Sequence, residues 1–130
     1  MNFIQITPFM HVYDLEQALE FFVEVLGFSV RCRFGKDYAY IEREAMGIRI
    51  LESSGAAGAP LGNRRFAYYI DVRDVDALYA QLKGKLDQLP LGDVHGPADK
   101  PYGQRELLVL APDGNLLAFG QAMAPENSLG

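Results

Sequence analysis

The chain has 130 residues, of which 49% are hydrophobic and 22% charged, and its formal net charge is −5. This length and composition predict one globular domain with a hydrophobic core of its own. The acidic balance and the lack of a basic run argue against nucleic acid as a partner, because phosphate binding needs clustered Lys or Arg side chains.

A single cysteine, Cys32, excludes an internal disulfide and a cysteine-rich metal site, and we interpret it as a buried or half-buried strand thiol. No apolar run approaches the ~20 residues of a membrane span. The N-terminus does not have the charge and apolar pattern of a signal peptide. We therefore expect a cytoplasmic protein with no membrane partner.

The first half of the chain predicts a strand, a helix and three further strands. Residues 2–9 alternate like a strand that is covered on both faces. Asp14 stands where a helix N-cap belongs, apolar residues then recur at helical spacing as far as Leu26, and Gly27 suits the helix end. The three strands predicted after this helix are residues 28–34, 38–42 and 47–52.

The pattern restarts beyond a Gly/Ala/Ser-rich stretch that has no periodicity. Residues 66–72 predict a strand, and Asp74 predicts a second helix N-cap, with Gly84 ending or weakening that helix. The remaining predicted segments are a short strand, a long loop and a closing hairpin around a Pro-Asp-Gly-Asn turn, at residues 86–91, 92–103 and 105–119.

A short motif occurs in both halves of the chain. Residues 12–16 read V-Y-D-L-E, and residues 72–76 read V-R-D-V-D. Each copy follows a strand, opens a helix and leads to several strands, which indicates a duplicated βαβββ unit. We predict module one at residues 1–53, a linker at 54–63, module two at 64–122 and a tail at 123–130.

On these motifs the chain resembles the vicinal oxygen chelate superfamily, which includes glyoxalase I, extradiol dioxygenases and bleomycin-resistance proteins. The resemblance rests on V-Y-D-L-E-Q-A-L-E-F-F-V-E-V-L-G-F at 12–28, V-R-D-V-D-A-L at 72–78, Y-G-Q-R-E at 102–106 and P-D-G-N at 112–115. It implies an α+β fold in which the curved sheets of two βαβββ modules form an open cleft. It also implies a homodimer, and leaves open whether the two copies exchange strands or pack side by side.

The resemblance further implies where enzymes of the family hold a divalent ion with His and Glu side chains. Those positions fall here on Thr7, Ala67, Ala118 and either Arg49 or Leu51, with Glu52 one place away. Threonine and alanine do not supply the imidazole or carboxylate groups of such a site. We interpret His11 as a hydrogen-bonded cleft residue and His95 as a solvated loop residue. The sequence therefore predicts no metal and no other cofactor.

Without a metal, the implied cleft is interpreted as a binding surface. Strand alternation places Phe9 and His11 on one face of the first strand, and Tyr69 and Asp71 on the matching face of module two. Aromatic rings stack flat ligands and attract cations. The candidate ligand-binding residues are Phe9, His11, Tyr38, Tyr40, Tyr69, Asp71, Tyr102 and Arg105. An alternative role for Arg105, together with Glu106, is to hold the loop that precedes them.

Three functional hypotheses are open at this point. The first is a metal-free binding protein without catalytic residues, which sequesters an aromatic or cationic small molecule as bleomycin-resistance proteins do. The second is a metal-dependent lyase, isomerase or dioxygenase of the same superfamily, and the third is a dimeric interaction domain with a vestigial cleft. Bleomycin-binding relatives typically have tryptophan in the closing loop, whereas this chain has none and places Tyr102 there.

Overall fold

The computed structural model describes residues 2, 4–53 and 67–123. Within them the chain forms two four-stranded mixed sheets, each accompanied by one helix. The first unit comprises residues 1–62 with the turn Pro112–Gly114, and the second comprises 63–111 with 115–130. The predicted α+β class and the two βαβββ modules are confirmed. The predicted linker at 54–63 lies outside the described residues, as does all of the predicted tail except Met123.

The first unit has the strand order β1-β4-β3-β2, with β1 parallel to β4 and the other pairs antiparallel. Its elements are β1 (Phe9–Val12), α1 (Leu15–Glu20), β2 (Ser29–Phe34), β3 (Tyr38–Arg43) and β4 (Met46–Glu52). The helix N-cap is as predicted, because Asp14 Oδ1 accepts the Gln17 N–H at 3.0 Å. Glu52, at the end of β4, accepts the Leu15 N–H at 2.8 Å, so the last strand is tied to the start of the helix.

The end of the first helix differs from the regular helix that the spacing predicts. After Glu20 the backbone widens into a π-helical turn, Phe21–Val25, and the Phe28 N–H bonds to the Phe22 carbonyl at 2.9 Å. The wide turn lets the Phe22 ring pack edge-on against Phe21 and Phe28, at centroid distances of 5.6 and 5.3 Å. Hydrophobic periodicity predicts which residues of this segment are buried, but not the local pitch of its backbone.

The second unit has the order β5-β8-β7-β6, again with one parallel pair, β5 and β8. Its elements are β5 (Tyr68–Asp71), α2 (Val75–Leu86), β6 (Val94–Asp99), β7 (Gln104–Ala111) and β8 (Asn115–Ala122). Asp74 caps the helix by accepting the Ala77 N–H at 2.9 Å. Gln121 accepts the Val75 N–H at 2.8 Å, which repeats the strand-to-helix connection of the first unit.

Each sheet buries one face and exposes the other. The buried face lies against the helix of the same unit and is almost entirely aliphatic, as alternation along the strands requires. In the first unit it comprises Met10, Val12, Ala39, Ile41, Ile48 and Ile50, and in the second Leu107, Val109, Leu117 and Phe119. The polar and aromatic candidates from the sequence therefore lie on the exposed faces of the two sheets, except for Arg105, which is described below.

The predicted strand over residues 2–9 is wrong for most of its length. The first strand begins only at Phe9, directly after Pro8, which has no N–H to donate to a neighbouring strand. Ile4 and Ile6 are 94% and 96% exposed, so neither is covered by the described part of the chain.

Three further predictions, all for the second unit, are wrong. Gly84 does not end the helix, because Leu82 and Leu86 on either side of it are buried and hold the helical backbone to the sheet. Residues 86–91 therefore contain the helix end rather than a strand. Residues 92–103 are not one long loop but contain strand β6, so His95 lies in a strand. The sequence does not reveal this strand, because its pairing with β7 shifts register between His95 and Ala98. No helix in the described residues is long and apolar enough to cross a membrane.

Candidate functional site

The exposed face of the first sheet carries most of the candidates from module one. Strand pairing aligns its side chains in two rows that run across the sheet. One row contains Phe9, Arg49, Tyr40 and Cys32, and the next contains His11, Leu51, Tyr38 and Phe34. This arrangement follows from the period of two along each strand together with the observed register. Cys32 is exposed, so the prediction that its thiol is buried or half-buried is wrong.

Three of these candidates form one aromatic cluster. The Phe9 ring stacks on His11 with centroids 5.7 Å apart, and it lies 6.2 Å from the Tyr38 ring. His11 Nδ1 is 2.9 Å from Ser53 Oγ, which fixes the orientation of the imidazole ring. The structure therefore places His11 as a hydrogen-bonded member of an aromatic surface.

Arg49 lies beside this cluster and was not among the candidates from the sequence. Its Nη1 donates to the Tyr38 hydroxyl at 2.5 Å, and its guanidinium carbon is 5.2 Å from the centre of the Tyr40 ring. The phenol end of Tyr40 in turn lies against Gly47, where any Cβ would collide with it. An arginine between two buried isoleucines, Ile48 and Ile50, was the available signal, since alternation turns it onto the open face.

The exposed face of the second sheet centres on a buried carboxylate. Glu106 is only 5% exposed, and its Oε2 accepts hydrogen bonds from Tyr69 at 2.9 Å and from Tyr102 at 2.8 Å. The Tyr69 hydroxyl also lies 3.2 Å from Gln104 Oε1. Hydrogen bonds to an ionised acceptor are among the stronger ones, so one carboxylate holds both phenols in place.

Both tyrosine rings remain accessible although their hydroxyl groups are held. Tyr69 is 44% exposed and Tyr102 is 65% exposed. Tyr69 lies across Gly120 of the neighbouring strand, and a Cβ at that position would collide with its hydroxyl group. The missing side chain at Gly120 thus makes the space in which Tyr69 reaches Glu106.

Of the remaining two candidates, one shares this face and the other does not. Asp71 is exposed two residues beyond Tyr69 on the same strand face. Arg105 bonds to Asp99 at 2.8 Å and to Asp76 of α2 at 3.0 Å, on the helix side of the sheet. The structure brings Tyr69, Asp71 and Tyr102 to one face and leaves Arg105 outside it. The sequence suggested Glu106 only as a residue that holds the preceding loop, and its hydrogen bond to Tyr69 was missed because Tyr69 lies 37 positions earlier.

Tyrosine ionisation reports on this arrangement. Burial, followed by the hydrogen bond to Glu106, raises the pKa of Tyr69 above its usual 10.0. The hydrogen bond to Glu106, followed by burial, raises the pKa of Tyr102. Because the folded-state pKa of each tyrosine exceeds its unfolded value, the stability that the two protonated phenols contribute to the fold is complete below about pH 10 and is lost as the pH rises further.

We therefore expect the double variant Tyr69→Phe/Tyr102→Phe to lose less stability than the wild type when the pH is raised above about 10. Phenolate absorbance during an alkaline titration should show two fewer late-titrating groups in the variant. Tyr68, whose pKa is raised by burial, stays in both proteins as an internal reference. Identical titration curves for the late groups would contradict the two hydrogen bonds to Glu106.

Strand register also decides the position that the sequence left open between Arg49 and Leu51. Phe9 pairs with Arg49, and the equivalent residue of the second unit, Tyr69, pairs with Ala118. The first-unit equivalent of Ala118 is therefore Arg49.

The donor set at the family's metal positions is consequently Thr7, Arg49, Ala67 and Ala118, which contains no imidazole and no carboxylate. Glu52, one place away in sequence, is engaged with the Leu15 N–H. In residues 2, 4–53 and 67–123 no group of three or more His, Cys, Asp and Glu side chains could hold a metal ion. These residues do not fit the divalent ion that the family's enzymes carry.

Residues 5–119 match the family model described as the Glyoxalase/Bleomycin resistance protein/Dioxygenase superfamily. The chain belongs to this superfamily. The predicted resemblance is thereby confirmed over most of the chain. No curated protein gave a significant sequence match.

Solved structures of other proteins share the fold. A bleomycin-binding protein from Streptomyces verticillus, complexed with copper(II)-bleomycin, is 24% identical with a TM-score of 0.74, over 94% of this chain and 98% of that one. An antibiotic-binding protein from a Streptomyces species is 21% identical with a TM-score of 0.68, over 94% and 98%. A lactoylglutathione lyase from Agrobacterium tumefaciens is 14% identical with a TM-score of 0.63, over 93% and 96%. At these identities the likeness establishes the fold alone.

Proposed function

We propose that this protein binds an aromatic or cationic small molecule without a metal and sequesters it, as bleomycin-resistance proteins do. The observation that carries the proposal is the pair of accessible rings, Tyr69 and Tyr102, held by the buried carboxylate of Glu106. A ring fixed in advance loses little conformational freedom when a flat ligand stacks on it. The ring face and the nearby Asp71 both favour a positively charged group.

The proposed ligand contacts are the aromatic and acidic side chains of the two exposed sheet faces. They comprise Phe9, His11, Tyr38 and Tyr40 on the first sheet, and Tyr69, Asp71 and Tyr102 on the second. Arg105 is left out because Asp76 and Asp99 hold its guanidinium group. We also propose that the protein works as a homodimer, the assembly that the family resemblance implies.

The bleomycin-binding and antibiotic-binding neighbours support a binding role because they share this fold. The lyase neighbour supports the enzymatic alternative in the same way, since it shares the fold as well. The donor set Thr7, Arg49, Ala67 and Ala118 disfavours that alternative in its metal-dependent form, because a guanidinium and two methyl groups do not ligate a cation.

A thermal-shift titration with metal-free bleomycin, in the presence and absence of EDTA, tests this function. We expect a dose-dependent rise of Tm that EDTA does not abolish, because a ligand that binds only the native state stabilises it by mass action. At a ligand concentration of 100 Kd the expected stabilisation is about 2.7 kcal/mol.

One outcome of this titration would contradict the proposed function. A Tm that does not change with bleomycin but falls sharply when EDTA is added would contradict metal-free sequestration and indicate a bound structural or catalytic ion. Bovine serum albumin titrated in parallel controls for nonspecific effects of the glycopeptide on the dye signal.

A further inference from the structure

We propose that the exposed face of the first sheet binds an anionic aromatic group and that Arg49 selects its negative charge. This inference rests on the proposed binding role and specifies the ligand chemistry that the first unit recognises. The second sheet presents acids, Glu106 and Asp71, so the two faces differ in the charge that they attract.

The charge of Arg49 is not neutralised by the described part of the chain. Four other arginines there form ion pairs with carboxylates: Arg31, Arg33, Arg43 and Arg105. Arg49 instead donates to the neutral phenol of Tyr38. Its positive charge is therefore available to an incoming anion, and the anion would not have to displace a protein carboxylate.

The donor geometry suits a planar anion. A guanidinium group has five N–H donors in one plane, and one of those of Arg49 is used by Tyr38. The remaining donors match the two oxygens of a carboxylate, which arginine binds in a forked arrangement. The Tyr40 ring lies within 5.2 Å of the guanidinium carbon and limits the directions in which the group can turn.

Aromatic side chains surround the charge where the ring of such a ligand would lie. Phe9 is the direct cross-strand partner of Arg49 and is 45% exposed. Its ring also contacts His11 and Tyr38, so the aromatic surface continues on that side of Arg49. A charged donor next to an open aromatic surface fits a ligand with an acidic group on a flat ring.

The position of Arg49 in the first sheet is also one of those where the residues of this chain do not fit the family's metal ion. Register places Arg49 where Ala118 stands in the second unit, and both correspond to positions that carry cation ligands in the family's enzymes. At Arg49 the protein itself supplies the positive charge. A ligand anion that a metal would attract elsewhere can here be attracted by the guanidinium group.

Three naphthalene probes of matched shape test the inference: 2-naphthoate, 2-naphthamide and 2-naphthylmethylammonium. Dissociation constants would be measured by ligand-observed NMR titration of the wild type and of Arg49→Gln. We expect 2-naphthoate to bind the variant about tenfold more weakly, the loss typical of one charge-assisted contact. The amide probe should bind both proteins equally, and the ammonium probe should bind the variant at least as tightly as the wild type, because the variant lacks the like charge of Arg49.

Arg73→Gln is the matched control, since Arg73 is exposed, belongs to the other unit and forms no ion pair within the described residues. It removes the same charge and should leave naphthoate affinity unchanged. If Arg49→Gln does not fold, the salt dependence of the wild type replaces it. Added sodium chloride should then weaken naphthoate but not naphthamide, because salt screens an exposed charge.

Equal naphthoate affinity in wild type and Arg49→Gln would overturn the inference, as would equal losses for naphthoate and naphthamide. Failure of the wild type to bind naphthoate would overturn it too. The proposed function is judged separately, because a positive bleomycin titration is compatible with each of these failures. Conversely, Arg49-dependent naphthoate binding without a bleomycin response would support the inference and contradict bleomycin-type sequestration.

Discussion

Alanine at Tyr69 or at Tyr102 is expected to weaken bleomycin binding by about 1–3 kcal/mol, while the Tm of the free protein changes little. Tyr69 is 44% exposed and Tyr102 is 65% exposed, so removal of either ring takes away a stacking surface and leaves the aliphatic core intact, while the other phenol still donates to Glu106. Isothermal titration calorimetry gives the affinity, and thermal melting without ligand gives the stability. A separation of the two effects distinguishes a ligand contact from a core residue.

Tyr79→Ala is the matched control for these variants. Tyr79 belongs to the same unit, but it lies on α2 beside Gly96 and Lys83, away from Glu106. Its removal should leave bleomycin affinity unchanged. A large fall of Tm in Tyr69→Ala or Tyr102→Ala, with affinity unaltered for the fraction that remains folded, would show that these rings support the fold instead.

Alanine at Phe22 should have the opposite profile. Its side chain is completely buried and packs edge-on against Phe21 and Phe28, so truncation removes apolar contacts and leaves a cavity. We expect the free energy of unfolding to fall by about 3–5 kcal/mol, which is a large part of the 5–15 kcal/mol typical of a domain.

Urea denaturation of wild type and Phe22→Ala measures this difference directly. Val23→Ala, in the same π-helical turn but only partly buried, is the control and should cost much less. A loss below about 1 kcal/mol in Phe22→Ala would mean that the core closes around the cavity or that the ring is not packed as described.

Much of this fold follows from local chemistry in the sequence. Asp14 and Asp74 cap their helices as their positions predict, because their carboxylates satisfy N–H groups that a helix start leaves free. Alternation correctly separated Tyr68 and Ile70 from Tyr69 and Asp71, since a strand shows successive residues to opposite faces. These features depend on neighbours within a few positions.

The misses arise where distant partners decide the structure. Strand β6 follows no simple alternation, and only its pairing with β7 reveals it. The π-helical turn depends on the packing of three phenylalanine rings, and the late start of β1 depends on the donor that Pro8 lacks. Helical or strand periodicity contains none of this information.

The candidate site divides in the same way. Phe9 and Tyr69 could be named from residue type and strand face, and Tyr102 from the family resemblance of the loop that contains it; their binding role stays a prediction. The importance of Glu106 could not, because it depends on a tyrosine 37 positions earlier. Alternation between Ile48 and Ile50 could have placed Arg49 on the open face, but its pairing with Phe9 depends on the parallel register of β1 and β4, which the sequence does not reveal.

The hydrogen bonds from Glu52 to the start of α1 and from Gln121 to the start of α2 have a consequence for folding. Each joins the last strand of a unit to the first turn of its own helix, across 37 and 46 positions. The loop that must close during folding is thus contained within one repeat, and its entropy cost grows only slowly with such lengths. A gene of half this length would already encode both ends of that closure, so duplication would copy the closure intact.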